Sequence, residues 1–139
     1  MIELAKKIAT EKHRGQFRRD GKTPYVSHPA AVAERLGNEA AEVVMAAWLH
    51  DVLEDTDTTV EELRDRGIPG VVLDAVVTLT KDESDYESYL RRVRRNEIAC
   101  KVKVADMLHN LSDNPTKKQI LKYSHGLIAL LCDQDPEGK

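Results

Sequence analysis

Apolar residues return every three or four positions at the start of the chain, at Ile2, Ala5, Ile8 and Ala9. That spacing predicts a helix to about His13, with Gly15 just beyond it as a stop signal. Residues 14 to 27, RGQFRRDGKTPYVS, carry two glycines, a proline and four basic side chains, the composition of an irregular, functional loop. The loop delivers His28 to the start of a short helix that Pro29 opens and Gly37 closes. The next stretch, EAAEVVMAAWLHDVLED at 39 to 55, is apolar nearly all round at its centre and predicts the most buried helix, with His50 and Asp51 on it.

Five further helices follow from the same period. Thr58 with Glu61, or Thr59 with Glu62, has capping-box spacing before a short helix. Gly67-Ile68-Pro69 separates it from another at 70 to 80, and Ser84 to Arg95 reads as a charged amphipathic helix. Ile98, Val102, Ala105, Leu108 and Leu111 mark a long helix, and Thr116 opens the last one through Ile120, Leu121, Leu127 and Leu130. No stretch alternates as a strand does. The expected fold is all-α, a single bundle of about seven or eight helices. It covers residues 1–132, followed by a polar, mobile tail at 133–139.

Composition narrows the setting. A chain of 139 residues suits one domain, and its 41% hydrophobic and 32% charged residues suit a folded, water-exposed one. No apolar run has membrane-spanning length, and the first residues lack the basic region and apolar stretch of a secretory signal, so a cytoplasmic protein is expected. A net charge of −3 argues against a general nucleic-acid binder. Cys100 and Cys132, far apart in apolar helical contexts, are expected as free, buried thiols.

The chemistry starts from a conflict. His50, Asp51, Glu54 and Asp55 put one imidazole and three carboxylates on the helix expected to be most buried. Burying ionised carboxylates costs several kcal/mol each unless a cation pairs with them. The four-residue spacings His50/Glu54 and Asp51/Asp55 stack each pair on one of two adjacent helical faces. Imidazole and carboxylate donors together suit manganese, iron, zinc or a similar ion, and His28 and Asp106 are the candidates to complete the set. Alone, His28 reads as a helix cap and Asp106 as a partner of Lys103; the four together point to a bound cation. Lys103 and the run Arg91, Arg92, Arg94 and Arg95 carry charge that can attract a polyanion, although for the arginine run a solvated helix face explains the pattern better. His13 and His109 could orient the ligands, and core packing explains them nearly as well.

Several motifs stand in order along most of the chain: HRGQFR at 13 to 18, PYVSHP at 24 to 29, HDVLEDTD at 50 to 57, LTK at 79 to 81 and VKVADMLHNL at 102 to 111. In these the sequence resembles the HD-domain hydrolases of the RelA/SpoT type, and within them the small, stand-alone alarmone hydrolases. The resemblance implies that His28, His50, Asp51 and Asp106 hold one metal, usually manganese, and that Glu54 and Asp55 are the catalytic carboxylates. It implies a purine nucleotide substrate, guanosine tetra- or pentaphosphate, from whose 3′ position pyrophosphate is removed. Arg18 then matches the arginine that packs on the base, and Asn110 and Tyr123 match positions that face the nucleoside. Without a synthetase module, hydrolysis without synthesis is expected. Two other functions remain open on the residues alone: hydrolysis of a different nucleotide, and nucleotide sensing without turnover.

Overall fold

The seven residues Val43 to Leu49 include only apolar side chains, and a helix that is apolar on every side must be surrounded. The structure, a computed structural model, describes residues 1–132 and places this segment at the centre of a helical bundle. The expected tail at 133–139 lies outside the described residues.

Nine helices occur among the described residues. They are α1 (Ile2–Lys12), α2 (Ser27–Arg35), α3 (Ala41–Leu49), α4 (Val52–Asp55), α5 (Val60–Asp65), α6 (Gly70–Leu79), α7 (Tyr86–Arg95), α8 (Glu97–Ser112) and α9 (Lys117–Leu131). Because α4 is a single turn, the all-α expectation of seven or eight helices agrees with what is seen. The described residues contain no strand, only an isolated bridge between Phe17 and Pro24.

Helix α3 packs against α1, α2, α6 and α8, and α8 in turn meets α2, α6, α7 and α9. Side chains such as Met45, Leu49, Val52, Val76 and Met107 are fully buried between them. Each contributes about 1.5–3 kcal/mol relative to exposure. Gly126 lets α9 approach closely, since a Cβ there would lie 2.8 Å from both Met107 Sδ and the Tyr86 hydroxyl.

The helix starts follow local chemistry. Thr59, Asp85 and Asn96 each accept a backbone N–H of the helix that follows, and Thr116 with Gln119 forms a full capping box. Of the two capping pairs expected near residue 58, the Thr59/Glu62 spacing is the one used, though Glu62 gives its carboxylate to Lys12 at 2.6 Å.

Two expectations need correction. The central helix does not run unbroken from 39 to 55: it opens at His50 and Asp51, with Asp51 at φ −105°, ψ 0°, before resuming as α4. The break turns two neighbouring polar side chains toward one point. Cys132 is exposed, because it caps the end of α9, while Cys100 is half-buried; both are free.

No helix among the described residues is long and apolar enough to cross a membrane.

Candidate active site

Four backbone segments converge beside α3. The first turn of α2 presents His28, the end of α3 presents His50, the break before α4 presents Asp51, and the middle of α8 presents Asp106. One ligand atom each of His28, His50 and Asp106 lies within 4.8 Å of the other two, and all three residues are buried. His28 Nε2 is 2.7 Å from Asp106 Oδ1. Asp51 joins from the open side, its Oδ2 at 3.1 Å from His50 Nε2 and 3.8 Å from His28 Nε2.

His50 shows what this centre needs. Its Nδ1 donates to the Ala47 carbonyl at 2.7 Å, which fixes the ring and aims Nε2 inward. That Nε2 is buried without a hydrogen-bond partner. It faces Asp51 Oδ2 and, at 3.5 Å, Asp106 Oδ1. A neutral imidazole would set its lone pair against these carboxylate oxygens; a cation there satisfies all of them. Two imidazole nitrogens and two carboxylates therefore fit a divalent metal, with the tautomer of His50 set by its backbone partner.

The electrostatics agree. Burial opposes a charged His50, yet the carboxylates of Asp51 and Asp106 outweigh it and hold the imidazole well above the ordinary histidine range. Burial likewise opposes ionisation of Asp51, but His50 brings it down to about 2. Asp106 is held well below the usual carboxylate range against the same opposition, chiefly by Lys103.

A layer of partners orients these side chains. The Tyr25 hydroxyl donates to Asp51 Oδ2 at 2.6 Å. Lys103 Nζ donates to Asp106 Oδ2 at 3.0 Å, and Asn110 Nδ2 donates to Asp106 Oδ1 at 3.2 Å. His109 meets His28 through their Nδ1 atoms at 2.7 Å. His13 packs its ring on Tyr25, 5.0 Å between centroids, and donates to Gln16, whose amide in turn donates to the Asp55 carbonyl.

Above the centre lies a cleft of about 210 Å³ whose walls include Arg18, Glu54, Asp55, Lys81, Asn110 and Tyr123. Glu54 and Asp55 face solvent at its rim. Glu54 Oε1 accepts the Lys81 backbone N–H at 3.1 Å. Partial burial, then Asp51 and Glu54, raise the Asp55 carboxyl above its ordinary range. Arg18 is clamped by Asp113 at 2.9 Å and lies 5.9 Å from the Tyr25 ring centre. It stands on the wall shared with a wider groove of about 530 Å³ that includes Arg19, Ser27 and His109. The loop expected to be irregular is a small hairpin: Arg18 N donates to Thr23 O and Tyr25 N to Gln16 O, both at 2.8 Å.

The structure thus brings His28, His50, Asp51 and Asp106 to one point, with Glu54, Asp55, Arg18, Asn110 and Tyr123 around the cleft over it. Lys103 is buried against Asp106, and the arginine run lies elsewhere. Arg92 reaches Asp82 and the carbonyls of Thr78 and Thr80, and Arg94 reaches the Cys132 carbonyl. Sequence reasoning gave no role to Tyr25, Gln16 or Lys81. Each lay inside a quoted motif, but nothing in the spacing disclosed which partner each would reach.

Comparison with known proteins bears on this arrangement. The family model described as HD domain matches residues 5–122. The chain is similar to guanosine-3′,5′-bis(diphosphate) 3′-pyrophosphohydrolase MESH1 of Danio rerio, 41% identical over 118 residues, covering 76% of this chain and 64% of the relative. It is 38% identical over 124 residues to the Xenopus tropicalis protein of the same name, covering 81% of this chain and 69% of that one. Similarity to the guanosine-3′,5′-bis(diphosphate) 3′-pyrophosphohydrolase of Haemophilus influenzae, 37% identical, covers 75% of this chain but 17% of the larger protein. A solved structure described as a metazoan orthologue of SpoT that hydrolyses ppGpp superposes with a TM-score of 0.76 at 30% identity, covering 93% of this chain and 82% of that one.

Proposed function

The chain belongs to the HD-domain family, and from that membership we propose that it is a metal-dependent hydrolase that removes the 3′-pyrophosphate of guanosine-3′,5′-bis(diphosphate) and similar alarmones. The observation that carries this reading is His50 Nε2, buried without a hydrogen-bond partner between two carboxylates, beneath a cleft rimmed by Glu54 and Asp55. The activity for which the Danio rerio and Xenopus tropicalis relatives are named supports the substrate.

In this reading residues 1–132 are the catalytic domain. His28, His50, Asp51 and Asp106 hold one divalent ion, and the mixed nitrogen and oxygen donors suit manganese. Such an ion, when bound, lowers the pKa of water and polarises a phosphoryl oxygen. Were His28 Nε2 to hold the ion, its Nδ1 would be left to donate to His109 Nδ1 at 2.7 Å, which would fix its tautomer.

The water oxygen bonds to the phosphorus attached to the ribose 3′ oxygen, and the bond between that phosphorus and the 3′ oxygen breaks. Glu54 and Asp55 take the proton that water loses. Asp55, raised by partial burial and by its carboxylate neighbours, is suited to hold that proton and return it to the departing 3′ oxygen. The products are pyrophosphate and a nucleoside 5′-diphosphate with a free 3′ hydroxyl. No covalent intermediate is needed.

Arg18 offers its guanidinium plane to the guanine, kept in place by Asp113. Asn110 and Tyr123 face the nucleoside. Lys103 keeps Asp106 ionised and adds positive charge behind the cleft. The substrate is a small purine nucleotide, with no nucleic-acid or membrane partner, and the setting is the cytoplasm.

Manganese-loaded protein incubated with guanosine-3′,5′-bis(diphosphate) should release pyrophosphate and guanosine 5′-diphosphate, separable by ion-exchange chromatography. Cleavage of a different nucleotide with this one left intact would overturn the substrate assignment and leave the hydrolase.

A further inference from the structure

Lys81, which lines the cleft, and Lys122, which stands against the cleft-lining Tyr123, have no part in the chemistry above. Lys81 follows α6, bound to Glu54 through its backbone, and its side chain lines the cleft. Lys122 arrives from α9. Its Nζ lies 5.2 Å from the Tyr86 ring centre and 5.9 Å from that of Tyr123, which also lines the cleft.

The two ammoniums come close enough to repel each other. Burial first, then the charges of Lys81 and Lys103, hold Lys122 below the ordinary lysine range. No carboxylate among the described residues forms an ion pair with either lysine. The acidic residue next to Lys81 in sequence, Asp82, is turned away to Arg92 at 3.3 Å and to Ser84. Lys103, the third cation nearby, is committed to Asp106.

Two ammoniums, neither in an ion pair and one shouldered by Tyr86 and Tyr123, form a place where an anion relieves repulsion rather than creating it. The cleft walls set the three cations Arg18, Lys81 and Lys103 against the four carboxylates Asp51, Glu54, Asp55 and Asp106. A divalent ion tips that balance positive, and Lys122 adds to it at the rim. A ligand with several phosphates matches such a field.

We propose that Lys81 and Lys122 form a phosphate-binding site at the cleft, which seats a substrate phosphate other than the one attacked by water. This rests on the reading of the substrate as a nucleotide bearing several phosphates. The chemistry is that of a terminal phosphate, supplied either by the 5′-diphosphate or by the outer phosphate of the leaving pyrophosphate.

The test uses manganese-loaded wild type, Lys81→Gln, Lys122→Gln and the double variant, with Lys81→Arg and Lys122→Arg as charge-retaining controls. Helical circular dichroism checks that each is folded. Binding of inorganic pyrophosphate is measured by calorimetry, and KM and kcat are measured with guanosine-3′,5′-bis(diphosphate) and with guanosine 3′-diphosphate lacking 5′ phosphates. Each Gln substitution should raise KM by on the order of tenfold, with kcat changed much less, and the Arg variants should stay near wild type. A rise for both substrates, with weaker pyrophosphate binding, assigns the site to the leaving group. A rise for the bis(diphosphate) alone assigns it to the 5′ end. Unchanged KM for both substrates and unchanged pyrophosphate binding would overturn the site.

Direct binding of guanosine-3′,5′-bis(diphosphate) separates this inference from the proposed activity. If the wild type binds that nucleotide without cleaving it and the Gln variants bind on the order of tenfold more weakly, the activity falls and the lysine site stands. Equal binding by wild type and Gln variants in that case removes both.

Discussion

His50 Nε2 and Asp51 Oδ2 lie 3.1 Å apart, although they belong to consecutive residues that an unbroken helix would splay by about 100°. The backbone opens between α3 and α4 to allow it. Because that opening sets carboxylate oxygens around a buried imidazole, a proton and a metal ion compete for the same nitrogen. His50, held well above the ordinary histidine range by Asp51 and Asp106 against the effect of burial, carries that proton when no metal is bound.

Metal binding should therefore release about one proton at neutral pH. Titration calorimetry with manganese in buffers of different ionisation enthalpy reads this directly. Lowering the pH stabilises the protonated imidazole, so apparent metal affinity should fall as the solution becomes more acidic. Binding that is independent of both buffer and pH would contradict the assignment of His50 as a ligand.

Tyr25 fixes Asp51 with one hydrogen bond of 2.6 Å. Removing it in Tyr25→Phe leaves the ring that His13 packs against but frees the carboxylate. Manganese affinity should drop about 10- to 100-fold, as for other lost partners of metal ligands, with thermal stability little changed. Equilibrium dialysis against manganese checks the first part and a melting curve the second.

Arg18 is held by Asp113, so two substitutions test its part in substrate binding. Arg18→Ala should raise KM for the guanosine substrate by roughly tenfold while metal binding is retained. Asp113→Ala leaves the guanidinium charge in place but loosens it, and a smaller rise in KM is expected. Equal KM values for wild type and Arg18→Ala would remove Arg18 from the binding surface.

Gly126 has no room for a side chain, since a Cβ would meet Met107 and Tyr86 at 2.8 Å. Gly126→Ala should destabilise the fold by about 1–3 kcal/mol through overpacking. Chemical denaturation measures it, and a variant as stable as wild type would show that α9 shifts freely against α8.

The helices were legible because burial is written in periodic apolar positions: Val43 to Leu49 could only be surrounded, and Thr59 and Thr116 could be read as caps or starts. The ligand set was legible for the opposite reason, that carboxylates such as Asp51 and Asp106 do not belong in apolar helices without a cation. The break at His50 was not, because every residue from Ala41 to Asp55 tolerates a helix and the interruption arises from tertiary demands on two side chains. Tyr25, Gln16 and Lys81 were also hidden. Their partners Asp51, Asp55 and Glu54 lie 26, 39 and 27 residues away in the chain, and only folding brings them together. Cys132 is exposed where burial is expected, because apolar neighbours do not reveal that a helix is about to end.

The proposed division of labour, with four residues holding the ion and Glu54 and Asp55 moving the proton, is tested most directly by measuring bound manganese and pyrophosphate release together on three proteins. Wild type should retain manganese and release pyrophosphate from guanosine-3′,5′-bis(diphosphate). Asp51→Ala should lose both, and Glu54→Gln should keep its manganese while turnover falls by about 10²–10⁴-fold. Full turnover in Glu54→Gln, or wild-type manganese and activity in Asp51→Ala, would contradict it.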